Sequence, residues 1–192
     1  METMSLFPAD DIRLQELILH IALGCEDMDT FDMPMLHWIL FQSDFLHFRR
    51  HGFPITCQSY RRGLRTPFPR RMDRVCRDLI QAEAMEISEL SVGDGLHIRK
   101  TPRAWREPSL RIFDGHEIAV VDEVVRSFRE AQVLEKPWPD LLDIPWETAR
   151  YREEIPYALA LIPGPGQSGP GMEAAWMEMA IGLDYQPQGV QS

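Results

Sequence analysis

Cysteine is scarce in this chain. Cys25, Cys57 and Cys76 are odd in number and widely spaced, with no C-x-x-C pair, which argues against a disulfide frame and for reduced thiols. Long apolar runs are missing too: no stretch approaches the roughly 18–20 apolar residues of a membrane span. The first residues, METMSLFPADD, lack the basic start and unbroken apolar segment of a signal peptide. A cytoplasmic protein with no membrane partner is expected. The signatures of catalysis are absent as well. There is no G-x-S-x-G elbow, no H-E-x-x-H pair and no cysteine in a recognisable catalytic setting. The carboxylates show no spacing that singles out an acid–base pair. Neither an enzyme nor a cofactor is expected. The chain has no internal repeat.

What is present is a chain of 192 residues with 44% hydrophobic content, five Trp and nine Phe, enough for a proper core. The net charge of -10 disfavours a nucleic-acid coat protein, because phosphate binding needs a basic surface. The charge is uneven, however. Residues 1–48 carry nine acids and one Arg, residues 49–77 carry nine Arg and only Asp73, and the remainder has twenty acids and ten bases. The Arg-dense island either pairs internally with its acidic flanks or presents forked donors to an anionic partner.

Periodicity predicts a helix over 10–23, with Ile12, Leu17, Ile18, Ile21 and Ala22 on one face and Gly24 as its stop. An acidic linker, Glu26–Asp32, leads to a second helix over 34–51. Asp32 caps it, Pro34 is tolerated in its first turn, and Met35, Trp38, Phe41, Phe45 and Phe48 mark its stripe. Arg49, Arg50 and His51 suit its negative end, and Gly52 its left-handed closure. Residues 53–69 read as irregular. A third helix over 70–84 carries Met72, Val75, Cys76, Leu79 and Ile80 inward and Arg70, Arg74 and Arg77 outward. Residues 85–91 and 96–101 flank the turn VGDG as a hairpin. Asp114 and Glu117 have capping-box spacing before a helix with Ile118, Val121, Val125 and Phe128 on one face. Residues 138–146 read as a proline-broken loop, and Pro156 starts a last short helix through Ile162. The fold class is mainly α with a small antiparallel hairpin or sheet (α+β). The expected organisation is an N-terminal helix and acidic linker (1–32), a compact domain (33–162), a Pro/Gly linker (163–171), and a short amphipathic helix with a tail (172–192).

Three motifs invite chemistry and yield to plainer readings. Gly164–Gly169 (GPGQSG) satisfies G-x-G-x-x-G on paper, but Pro165 and Pro170 fit a dinucleotide turn badly and Gln188 lies where the acid of that fingerprint is sought. It reads as linker. Asp44, His47 and His51 can share a helical face at metal-ligand spacing. With no further ligand tied to them by a recognised spacing, they read as a polar face with satisfied imidazoles, and no metal is expected. His37 reads as packed beside Trp38. A DNA-binding alternative rests on the order of the second helix, the third helix and the hairpin, with Arg70, Arg71, Arg74 and Arg77 on the third helix. The long 53–69 connection and i,i+4 pairing of these arginines with Asp73 and Asp78 weigh against it.

The order of elements also carries a resemblance. An aromatic helix closes in FLHFRRHGFPIT. A Tyr-containing connection, an amphipathic helix and a hairpin follow, then a helix with EIAVVDEVVRSF, Trp146 and finally EEIPYALAL. Over about residues 33–162 this resembles the Panacea, or SocA-like, antitoxin domain of bacterial and phage toxin–antitoxin systems. Two departures stand out. Tyr60–Pro67 (YRRGLRTP) lacks the family's Gly-Pro pair, and Asp140–Pro145 (DLLDIP) lacks its Ser and His. The resemblance implies an antitoxin that neutralises a cognate protein toxin by direct contact. It equally admits an adaptor that delivers a toxin to the ClpXP protease, and the Arg-rich 49–77 segment keeps a DNA-binding autoregulator open. The candidate partner-binding residues are Tyr60, Arg61, Arg62, Arg65, Pro67, Arg70 and Arg71, because arginines are common binding anchors. A loop paired with the acidic N-terminus is the alternative for the same segment, and residues 172–183 either clasp a partner or dock on the domain.

Overall fold

A computed structural model describes residues 10–92, 97–137, 146 and 149–162. The fold is mainly helical with small antiparallel sheets, four α-helices and five short strands among the described residues. α1 spans Asp11–Gly24, and the Asp10 carboxylate accepts from the amides of Ile12 and Arg13 at 3.0 Å each, satisfying donors the first turn leaves open. Its apolar face, with Leu14, Leu17, Ile18 and Ile21, is fully buried in the same core as the helices that follow.

α2, Met33–His51, is the central element. Asp32 accepts from the Met35 amide at 2.9 Å, and Gly52 closes the helix at φ 83°, a conformation that costs a Cβ-bearing residue about 1 kcal/mol or more. Burial extends around most of its surface: Phe41 and Phe45 lie inside, and so do Gln42, Ser43, Asp44 and His47. The basic end of α2 is used for specific ties. Arg49 Nε donates to the Ala160 carbonyl at 2.7 Å, and Arg50 forms a two-pronged pair with Glu123 at 2.6 and 2.8 Å.

The segment 53–69, read from sequence as irregular, contributes two strands. β1 (Tyr60–Arg62) pairs antiparallel with β2 (Pro67–Pro69) on one side and with β5 (Glu154–Ile155) on the other. Prolines are tolerated in β2 because it is an edge strand whose outer side has no ladder to maintain. α3 runs Met72–Gln81, shorter than the 70–84 expected. Met72, Val75, Cys76 and Leu79 are buried, but Ile80 is 44% exposed rather than inward. β3 (Met85–Val92) and β4 (His97–Ala104) pair antiparallel with Met85 opposite Ala104; residues 93–96, with the Gly-Asp-Gly of the turn, lie outside the described residues. α4, Gly115–Val133, begins with the anticipated capping box, Glu117 Oε2 accepting from the Asp114 amide at 2.7 Å. Its buried face is carried by Val120, Val121, Val124, Val125 and Phe128. The short helix expected after Pro156 is of the 3-10 kind, Tyr157–Leu161. The linker at 163–171 and the amphipathic stretch at 172–183 lie outside the described residues.

One polar tie holds α1 to the connection after β4. Glu16 is buried, and Arg106 grips both its oxygens at 2.6 and 2.8 Å while the Ser109 amide donates at 2.6 Å. The Arg106 hydrogen bonds hold the Glu16 carboxyl below the usual glutamate range, against the opposing pull of burial.

Candidate functional site

The Arg-rich connection is built on a buried anchor. Tyr60 opens β1 with no exposed surface, and its hydroxyl donates to Asp44 Oδ2 at 2.7 Å. Asp44, also fully buried, accepts from the Thr56 amide at 2.7 Å through Oδ1 and from the Thr56 hydroxyl through Oδ2. Burial holds the Asp44 carboxyl above the ordinary aspartate value, with the Thr56 and Tyr60 hydrogen bonds opposing it. The Tyr60 phenol is pushed well above its usual value, first by burial and then by the Asp44 charge. Phe41, Phe45 and Tyr157 ring this centre, with Phe41 and Phe45 centroids 5.4 and 5.7 Å from Tyr60.

From that anchor the chain leaves the core in three residues. Arg62 is pinned: its Nη1 donates to the Ala149 carbonyl at 2.6 Å and its guanidinium lies 5.8 Å from the Trp146 ring centroid. The backbone then reverses over Gly63–Thr66, where the Gly63 amide donates to the Thr66 carbonyl at 3.0 Å. A Cβ at position 63 would sit 2.4 Å from that carbonyl oxygen, so glycine is required by a close approach of backbone to backbone. At the tip Leu64 is 83% exposed, with Arg65 exposed beside it and Arg61 half-buried on β1.

The seven sequence-predicted residues therefore divide. Tyr60 and Pro67 are core residues, not surface ones. Arg62 is committed to Ala149 and Trp146. Arg71 pairs with Asp11 at 3.1 Å, as the acidic-N-terminus reading expected, and Arg74 reaches Asp11 and Asp78 at 3.8 Å each. Arg61, Arg65 and Arg70 stand at the surface, Arg61 only in part. Sequence reasoning missed Leu64; its signal was a lone apolar residue among arginines immediately after a glycine. For the DNA-binding alternative, the carboxylate of Asp11 sits beside the start of α3, where phosphates would have to approach.

The histidine reading changes as well. Asp44 lies on the same face of α2 as His47, but its carboxylate is taken up by Thr56 and Tyr60, and His116 from α4 joins the two histidines instead. His37 lies 6.3 Å from the Phe68 ring, and its Nε2 is buried with no hydrogen-bond partner among the described residues. Burial pulls its pKa down from 6.5 to about 4, so it is neutral in the folded protein near pH 7. Because the unfolded chain then binds more protons between those two values, stability is full above pH ~6.5 and falls as pH drops toward ~4. The loss reaches at most about 3 kcal/mol. Urea midpoints measured across that range should show this slope in the native chain and a flatter one in His37→Leu; parallel slopes would remove the assignment.

A shallow groove of about 320 Å³ between α3 and β3 is lined by Met33, Asp73, Cys76, Ile80 and Ile87, among others. Its thiol is no nucleophile: burial pushes Cys76 to about 12, as it does Cys25, and Cys57 to about 11. No helix among the described residues is long and apolar enough to cross a membrane. Comparison with protein-family models, with curated proteins and with solved structures finds no match.

Proposed function

We propose that this chain is a non-enzymatic binding protein, an antitoxin that neutralises a protein toxin by direct contact through the β1–β2 hairpin tip. The observation that carries the reading is the exposure of Leu64 between Arg61 and Arg65 on a turn fixed from below. Arginine is enriched among interface anchors, and Leu64 adds exposed apolar area beside the guanidinium groups. Its frame is immobilised by Gly63, by Arg62 and by the Tyr60–Asp44–Thr56 hydrogen bonds, so little ordering entropy remains to be lost on binding. The order of motifs from the aromatic helix to EEIPYALAL supports the choice of an antitoxin among binding proteins.

The test is growth of a bacterial host expressing the neighbouring open reading frame, with and without this chain. Arrest rescued by co-expression, with both proteins copurifying from cells lacking ClpXP, is the expected result. Rescue that requires ClpXP would replace direct neutralisation with delivery to the protease. Absence of toxicity, with a salt-sensitive shift of operator DNA, would replace it with transcriptional autoregulation.

A further inference from the structure

Three imidazoles meet where the end of α2 reaches the start of α4. His47 and His51 lie one helical turn apart, and His116 stands in the first turn of α4. One ring nitrogen from each lies within 4.8 Å of the others, and the ring centroids are 4.5, 4.7 and 5.2 Å apart. His47 is fully buried while His51 and His116 are exposed.

The tautomer of His47 follows from its partner. Its Nδ1 lies 2.7 Å from the Phe53 carbonyl oxygen, and a carbonyl only accepts, so Nδ1 carries the proton. Nε2 is left with an in-plane lone pair. That nitrogen is buried and has no hydrogen-bond partner among the described residues, an exception to the rule that buried polar atoms are satisfied. A neutral ring with a lone pair is the form that binds metal.

We propose that His47, His51 and His116 form a zinc-binding site, with His47 Nε2 as its buried anchor and the remaining coordination position open to solvent. A donor set of imidazoles alone selects zinc and its transition-metal neighbours over magnesium or calcium, which require oxygen ligands. The Phe53 carbonyl supplies the outer hydrogen bond that fixes tautomer and ring orientation in metal-bound histidines. Nearby charges are already engaged: Arg50 pairs with Glu123, and Glu117 with Arg13. Zn–N bonds of about 2.0–2.1 Å place tetrahedral donors about 3.4 Å apart, so nitrogens now within 4.8 Å of one another close by up to about 1.4 Å on binding. The His47 and His116 rings now lie nearly parallel, at 13°, with His51 tilted 31° and 43° to them. The two exposed rings turn toward the ion while His47 stays in place. An ion so held ties α2 to α4 and leaves room for a fourth donor.

The test is titration of the untagged full chain with Co²⁺, read by its visible absorption, followed by displacement with Zn²⁺. Wild type should bind stoichiometrically with tetrahedral-type bands. His51→Ala and His116→Ala, both at exposed positions, should each weaken binding by at least about 100-fold, beyond what loss of an outer-shell partner costs. His20→Ala, whose ring instead pairs with Asp122, should leave it unchanged. Absence of binding by wild type, undiminished binding by the His51→Ala/His116→Ala double variant, or binding abolished by thiol alkylation would overturn the assignment. No toxin enters the experiment, so its result is independent of the antitoxin reading.

Discussion

Replacing Asp44 with alanine should cost about 3–5 kcal/mol of folding stability, read as a lowered urea midpoint. The carboxylate satisfies the Thr56 amide, the Thr56 hydroxyl and the Tyr60 hydroxyl in a site with no exposed surface. Alanine leaves these donors dry and unpaired, at about 1–3 kcal/mol for each buried group, and opens a small void. Asp44→Asn separates charge from shape. Its carbonyl still accepts from the Thr56 amide, and both hydroxyls can rotate to accept from its amide nitrogen, so its cost should be about 1–2 kcal/mol. Burial raises the folded pKa of Asp44 above the reference 3.8. Its contribution is therefore greatest below that value and diminishes as pH rises through the folded pKa. Asp44→Asn should remove this component. An Asp44→Ala protein as stable as the parent would show that the anchor contributes nothing.

Reversing the two arginines on either side of the tip, Arg61→Glu with Arg65→Glu, should weaken partner binding by at least about 100-fold in a pull-down or calorimetric titration. Two interface arginines at about 2 kcal/mol or more apiece are enough for that loss. The fold should barely register it. Exposed substitutions stay within about 0.5 kcal/mol. Arg61, however, stands directly opposite Glu154 across the β1–β5 pair, so a glutamate there adds a like-charge contact of about 0.2–1 kcal/mol. A thermal midpoint lower by no more than about 4 °C is then expected. Arg65→Glu alone meets no such neighbour among the described residues and isolates the interface effect. Leu64→Ala should lose about tenfold in affinity. Full binding by the double variant would move the contact elsewhere on the molecule.

The helices were legible because each carries its own signal. Asp32 and Pro34 announce the start of α2, Gly52 its end, and Asp114 with Glu117 the start of α4, all within a few residues of the feature they specify. The three-stranded sheet was not legible. β1 and β2 have three residues each and β5 two, too few for alternation to show, and β5 arrives from more than ninety residues away in the chain. Asp44 was misread for a related reason. On a helical wheel it falls beside His47, but its burial is decided by Thr56 and Tyr60, which belong to the next segment. His116 is likewise invisible from the α2 pattern, because the capping box that begins α4 is what delivers it to His47. Local order was readable wherever the deciding partner was local.

The reversal at Gly63 separates two kinds of variability. Any side chain at that position would collide with the Thr66 carbonyl, whereas Leu64, almost wholly in solvent, and the exposed Arg65 touch little of the frame beneath them. The scaffold thus tolerates exchange of the side chains at 64 and 65, the contact proposed above, without renegotiating how the hairpin folds. A randomised library at those two positions, with Gly63 held, would yield chains of equal stability and divergent partner choice.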